Sequence, residues 1–320
     1  MAGGGVGKVT ERPTDIPISA QDEVVARLEG LLGRPHVSAE YVSFRIDLLK
    51  AQWTVREALA GVPSRTRDPA CAAVPIGVRP GGDAAPPRPA LDSDSIPLDP
   101  GLLGFLFRAI CDSTARQGRE TEDIRILATA VRADPRLLDS LARRATSGPD
   151  MDGLESLARH LRVLPDVLLF VGRALAAPFV AEAVRRIVAH PQDSGVTTRT
   201  SGRCGQCGSP PSIATLRREN GRRILTCGLC GTTWEFPRLA CPWCETQDRE
   251  ALTLLRLSPE DPRWIEACET CRGYIKTVDE RRLPAGETII PVMEEAATLH
   301  LDLLAEREGF IRRLPYTLSG

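Results

Sequence analysis

Eight of the ten cysteines stand between residues 204 and 271, in four pairs of identical spacing: Cys204/Cys207, Cys227/Cys230, Cys241/Cys244 and Cys268/Cys271. A C-x2-C turn points two sulfurs at one point and aims backbone N–H groups at them. Two such turns supply the four thiolates of a tetrahedral metal site. Glycine after the second cysteine relieves the turn, because it accepts positive φ. Gly208 and Gly231 fit that role. Glu245 takes the position in the third pair, and Gly273 comes one residue late, after Arg272. The third turn is therefore expected to be less regular, or stiffened by Pro242.

Eight thiolates make two S4 sites. Nineteen residues separate Cys207 from Cys227, 23 separate Cys244 from Cys268, and ten separate Cys230 from Cys241. These intervals suit two consecutive ribbons, the first two pairs forming one site and the last two the other. A crossed arrangement, first pair with third and second with fourth, is the rival. No histidine lies between residues 191 and 299, so every ligand is a cysteine and no coordination position stays open. That favours a structural or electron-carrying role over hydrolytic metal catalysis. Zinc and a single iron suit an S4 tetrahedron equally, and an iron–sulfur cluster uses the same ligand type. Thioredoxin-type chemistry would need one pair within a βαβ pattern, which is absent here.

Little else carries chemistry. Cys71 and Cys111 have no second cysteine three residues away, and Cys111 reads as a small buried hydrophobe. His36, His160, His190 and His300 fall in no nucleophile, metalloprotease or general-base motif. Arg217, Arg218, Arg222 and Arg223 form a basic group, read as a solvated hairpin tip or as a contact for an acidic partner. The N-terminal GGGVGK falls short of a phosphate loop, with Ala2 and Val9 at two defining positions. The chain is not expected to be an enzyme.

Each cysteine gap can hold a hairpin. In the first, Ala214-Thr215-Leu216 faces Arg223-Ile224-Leu225 across Asn220-Gly221, a strong turn signal. In the second, Leu252 to Leu255 pairs with Trp264 to Ala267. The chain before them reads as helical, with apolar residues near a 3.6 period from Gln21 to Leu32 and from Tyr41 to Val55. Further helices are expected over 101–117, 121–133, 135–146 and 152–162, then as a pair over 165–176 and 177–190. Pro75, Pro80, Pro86, Pro87 and Pro89 make 63–100 a linker or surface loop. Turn formers from His190 to Gly195 mark a boundary. The fold class is α+β: a helical domain over 1–190, metal-binding ribbons over 200–236 and 237–278, and a C-terminal helix over 288–313.

The 320 residues carry 41 Lys+Arg and 42 Asp+Glu, a formal charge of -1. That argues against a nucleic-acid binder working by bulk charge. The N-terminus has no apolar run after a basic start and no twin-arginine pattern. The most apolar stretch, 161–180, is interrupted by Pro165, Asp166 and Arg173, which argues for buried helices rather than a membrane span. A cytoplasmic location is expected, where thiols stay reduced and metal sites are the usual use of clustered cysteines.

The second half resembles the formate dehydrogenase accessory protein family, FdhE. The resemblance rests on Cys204 to Pro211 (CxxCGSxP) and on Cys227/Cys230 followed by Trp234 and Arg238. It rests also on Glu266-Ala267-Cys268 leading to Gly273-Tyr274-Ile275-Lys276, and on the closing segment 297–310. It extends more weakly to Tyr41-Val42-Ser43-Phe44 and Pro178-Phe179-Val180. It implies a helical domain followed by two tandem rubredoxin-like ribbons, with iron bound by the eight paired cysteines. Two metal ions per chain are then expected, iron favoured and zinc the alternative. It also implies a cytoplasmic accessory protein that meets the molybdenum-containing catalytic subunit of respiratory formate dehydrogenase before export. The role would be that of a folding or proofreading chaperone. The alternative is a redox factor exchanging an electron with the immature enzyme.

Overall fold

The computed structural model describes residues 18–34, 37–61, 89–92, 95–117, 121–146, 150–189 and 201–313. Cys71, His36, His190, the GGGVGK segment, most of the proline-rich stretch and the 190–195 boundary lie outside the described residues.

Seven described helices precede the sheet: α1 (Ile18–Glu29), α2 (Ala39–Ala60), α3 (Pro100–Arg116), α4 (Glu122–Ala133), α5 (Leu137–Arg144), α6 (Met151–Leu161) and α7 (Pro165–Ala189). Their starts are capped as their sequences suggest. Ser38, Asp99, Thr121 and Asp150 each accept a hydrogen bond from the backbone three residues on. The expected helix pair over 165–190 is a single helix with Pro178 inside it. Proline has no N–H to give the Ala174 carbonyl, and the Gln52 side chain of α2 supplies one instead, at 2.9 Å. This helix is long and apolar enough to cross a membrane, but its apolar stretch is almost wholly buried inside the fold. Arg173, buried within it, donates to the Ala145 carbonyl at the end of α5. Gly172 lets the two helices touch: a Cβ there would stand 2.5 Å from the Leu141 carbonyl oxygen.

The second part is mixed with strand. β1 (Pro211–Leu216), β2 (Arg223–Cys227) and β3 (Thr233–Glu235) form one antiparallel meander; β4 (Leu252–Leu255), β5 (Arg263–Cys268) and β6 (Gly273–Asp279) form another. The two ribbons are not separate beads. β1 and β6 pair in parallel, Ile213 opposite Lys276, and fuse both meanders into one sheet of order β3-β2-β1-β6-β5-β4. The closing segment is also not one helix. It forms α8 (Pro291–Ala297), breaks at Thr298, resumes as α9 (Leu299–Arg307) and ends in β7 (Ile311–Arg312), which pairs with β6.

One apolar core runs through both parts. It joins α2, α3, α5 and α7 to Cys204, Cys207, Leu225, Cys227, Leu229, Cys230 and Trp234. The end of the proline-rich stretch belongs to it too. Leu91 and Ile96 are buried there, and the Ala90 and Leu91 amides donate to the Gly205 and Gln206 carbonyls inside the first cysteine turn. A segment read as surface loop thus clamps the turn, because its short Ala-Leu run offers both apolar side chains and free backbone donors.

Candidate metal centres

The structure gathers the eight paired cysteines into two groups, Cys204/Cys207/Cys227/Cys230 and Cys241/Cys244/Cys268/Cys271, each with its sulfurs within 4.8 Å of one another. The groups join consecutive pairs, not crossed ones. In the first, Cys204 Sγ lies 3.6 Å from Cys230 Sγ, and Cys207 Sγ 3.5 Å from both Cys227 and Cys230. In the second, Cys241–Cys271 and Cys244–Cys268 are each 3.7 Å. A metal with sulfur at about 2.3 Å has tetrahedral edges of about 3.8 Å. Disulfide sulfurs would stand at about 2.05 Å. The donor set therefore fits a tetrahedral thiophilic ion.

The turns repeat one design. The Cys204, Cys227 and Cys241 amides each donate to the carbonyl five residues on, Ser209, Thr232 and Thr246. Amides inside the turns point at sulfur: Leu229 and Cys230 at Cys227, Trp243 at Cys241. The residue after each second cysteine is left-handed in all four turns, with φ of 73° at Gly208, 75° at Gly231, 59° at Glu245 and 56° at Arg272. The third and fourth turns are thus as regular as the others, without glycine. Gly273 serves another purpose, since a Cβ there would stand 2.7 Å from the Trp243 ring.

The thiols share their protons unequally. Hydrogen bonding with Cys204, Cys227 and Cys230 holds the Cys207 thiol well below its ordinary value, against its burial. Neighbouring thiols and burial hold Cys204 well above it, and burial pushes Cys230 up. In the second group burial raises Cys241 and Cys271. Burial also opposes ionisation of Cys268, but the Cys271 and Thr270 amides and the Cys244 thiol outweigh it and hold that thiol down.

Two buried charge networks hold the centres in place. Arg223, expected at the hairpin tip, is buried and reaches from β2 to Glu266 on β5 at 2.6 Å, with a further bond to the Ala240 carbonyl at 2.8 Å. It ties one ribbon to the other. The rest of the basic group is also engaged: Arg217 and the Arg218 amide with Glu280, the Arg218 guanidinium with the Leu283 and Pro284 carbonyls, and Arg222 with Glu235. Behind the second centre, Lys276 is buried against Asp302 at 2.8 Å, Tyr274 donates to Asp302, and Arg312 pairs with Glu295. Strand alternation was the available signal for Arg223, which shares a period of two with Leu225 and Cys227. No local pattern announces Glu266 or Asp302 as its counterpart or that of Lys276.

Trp234 and Trp243 brace the centres, donating to the Ser201 and Tyr274 carbonyls. Cys111 is half-buried in α3, away from both groups.

Comparison with known proteins places this geometry. No family model matches the chain. It is 35% identical over 118 residues to a Protein FdhE homolog of Stutzerimonas stutzeri, covering 36% of this chain and 37% of that protein. A Protein FdhE homolog of Pseudomonas aeruginosa is 29% identical over 157 residues, covering 45% of this chain and 50% of that one. The chain spans half or less of the length of these curated relatives. In structure it is similar to the crystal structure of the FdhE protein from Pseudomonas aeruginosa, with a TM-score of 0.61 over 97% of this chain and 100% of that one, at 20% identity.

Proposed function

We propose that the chain is a member of the FdhE family and, on that premise, a metal-containing accessory protein for the maturation of formate dehydrogenase. The observation that carries this reading is the pair of four-thiol groups built into an FdhE-like fold. In this reading Cys204, Cys207, Cys227 and Cys230 hold one ion, and Cys241, Cys244, Cys268 and Cys271 hold the other, iron favoured over zinc. Four thiolates saturate a tetrahedral ion, so the centre has no position for substrate and the protein acts by binding rather than by turnover. The partner is the catalytic subunit of formate dehydrogenase, met in the cytoplasm before export. The protein acts on it as a folding or proofreading chaperone, with the metals rigidifying the surface it presents.

A second reading draws on one feature. Cys244 is exposed, so an iron at the second centre would stand close enough to solvent to exchange an electron with a docked protein. Anaerobic purification followed by metal analysis, a visible spectrum and titration against the purified catalytic subunit tests both. Two metal equivalents and saturable binding support the accessory role. A reversible iron couple that accelerates activation of the subunit favours the redox reading. Absence of bound metal, or of binding, overturns the proposal.

A further inference from the structure

We propose that the cleft between the helical part and the first metal centre is where the partner polypeptide docks, and that it takes an apolar segment carrying a carboxylate for Arg45. This rests on the accessory reading above and names the surface and the chemistry it uses. The cleft encloses about 1090 Å³. Its lining comes from α1, α2, α3, α4 and α7 of the helical part and from the Cys227–Gly231 turn, α8 and α9 of the second part. Both halves of the molecule, and the backbone that holds one metal, thus meet a single occupant.

Three observations define that occupant. The first is apolar exposure. Leu164 and Leu303 stand at 62% and 60% exposure and both line the cleft, where water is a poor neighbour for them. The second is charge. Arg45 lines the cleft from α2 with its Nε buried, and among the described residues it has no hydrogen bond and no ion pair. Of the acids in the lining, Asp302 is paired with Lys276 and Glu295 with Arg312, Glu23, Glu40 and Glu306 lie exposed, and Asp123, half-buried, accepts from the Leu164 amide. The cation left to an occupant is therefore Arg45, at the end of the cleft where it meets a second recess. The third is this smaller recess of about 130 Å³, which shares Arg45, Gln52 and the Gly228-Leu229 turn with the cleft. Arg173 also lines it and no acid does. At about 30 Å³ per water it has room for about four waters, or one side chain. A guanidinium in such a place favours a carboxylate, which it can hold by two parallel hydrogen bonds.

The test uses the full-length, metal-loaded protein and the purified catalytic subunit. Dissociation constants are measured for wild type, Arg45→Glu, Arg45→Gln and the exposed control Arg125→Glu, with metal content and melting temperature taken for each. Arg45→Glu is expected to weaken binding at least tenfold, Arg45→Gln less, and the control within twofold. A photo-crosslinker at position 303 is expected to capture the subunit and one at the exposed Leu32 is not, which reads the site without touching Arg45. Equal binding by wild type and both Arg45 variants, with no crosslink at 303, overturns the cleft and leaves the accessory role standing. No binding by wild type overturns the accessory role itself, and this inference with it.

Discussion

The two metal centres are built from the same turn and secured in opposite ways. The first is sunk in the main core: its four cysteines are buried, and helix side chains from α2, α3 and α7 share their cluster. The second stands at the edge, with Cys244 exposed and Cys271 half-buried, outside every apolar cluster. Where the first uses glycine for its left-handed residues, the second uses Glu245 and Arg272 and exploits their side chains. Glu245 accepts from the Gly202 amide at 2.9 Å, just before the first centre. Arg272 lies over Phe310 at 3.9 Å and bonds the Gly309 carbonyl. Burial thus fixes one centre, and directed polar contacts fix the other. The first is expected to be inseparable from folding, and the second to respond to the solvent and to partners.

The sharpest way to break this comparison is to remove one ligand from each side. Cys207→Ser should lose one metal equivalent and cost more than about 4 kcal/mol, the scale of a lost structural metal in a core. Cys244→Ser should lose one equivalent at less than half that cost, because a solvent-facing ligand leaves no cavity behind. Metal analysis with denaturant melts decides it, and equal destabilisation would dissolve the distinction. Next in size is the strut between the ribbons. Arg223→Met leaves Glu266 facing a buried site without its cation, at a cost of about 3–5 kcal/mol. The double variant Arg223→Met/Glu266→Leu should recover most of that in the same melts. A smaller effect on stability, though a clear one in time, is metal release. Chelator added to the loaded protein should withdraw one equivalent quickly and the other only as the protein unfolds. Cys244→Ser should abolish the fast phase.

The eight cysteines and their consecutive grouping were legible in the sequence because a C-x2-C turn is local and needs only its own residues. The hairpin turn at Asn220-Gly221 was legible for the same reason, with Gly221 at φ of 66°. What escaped depends on contacts distant in sequence. The break expected between 176 and 177 is absent, and the Ala174 carbonyl that Pro178 cannot serve is met by Gln52, 122 residues away. The parallel pairing of β1 with β6 has no marker in either strand, since edge strands carry no label for their neighbour. Arg223 was read with its neighbours as a solvated hairpin tip or as a contact for an acidic partner, and neither reading placed it inside, because charge is usually at the surface and its partner Glu266 lies on the other ribbon. The break at Thr298 was hidden because the apolar spacing of 291–307 continues across it.

The smallest expected effect tests whether the left-handed residues are interchangeable between centres. A Cβ in that region costs roughly 1–2 kcal/mol. Gly208→Ala adds that cost at φ of 73° and supplies no new bond, so it should destabilise by about that amount. Glu245→Gly removes the cost, but it also removes the carboxylate that Ser201 and Gly202 bond, each bond contributing about 0.5–1.5 kcal/mol. The two terms nearly cancel, and the melt should move by less than about 1 kcal/mol. Gly202 has little room to adjust, because a Cβ there would stand 1.9 Å from the Pro242 carbonyl oxygen. Losing the Glu245 carboxylate should therefore loosen the contact between the two turns rather than the turn it sits in. The readout is hydrogen exchange of the Gly202 amide, which should speed up in Glu245→Gly while the Cys204 amide, bonded to Ser209, stays protected. Loss of protection at both would mean that the second centre supports the first, and that burial alone does not hold it.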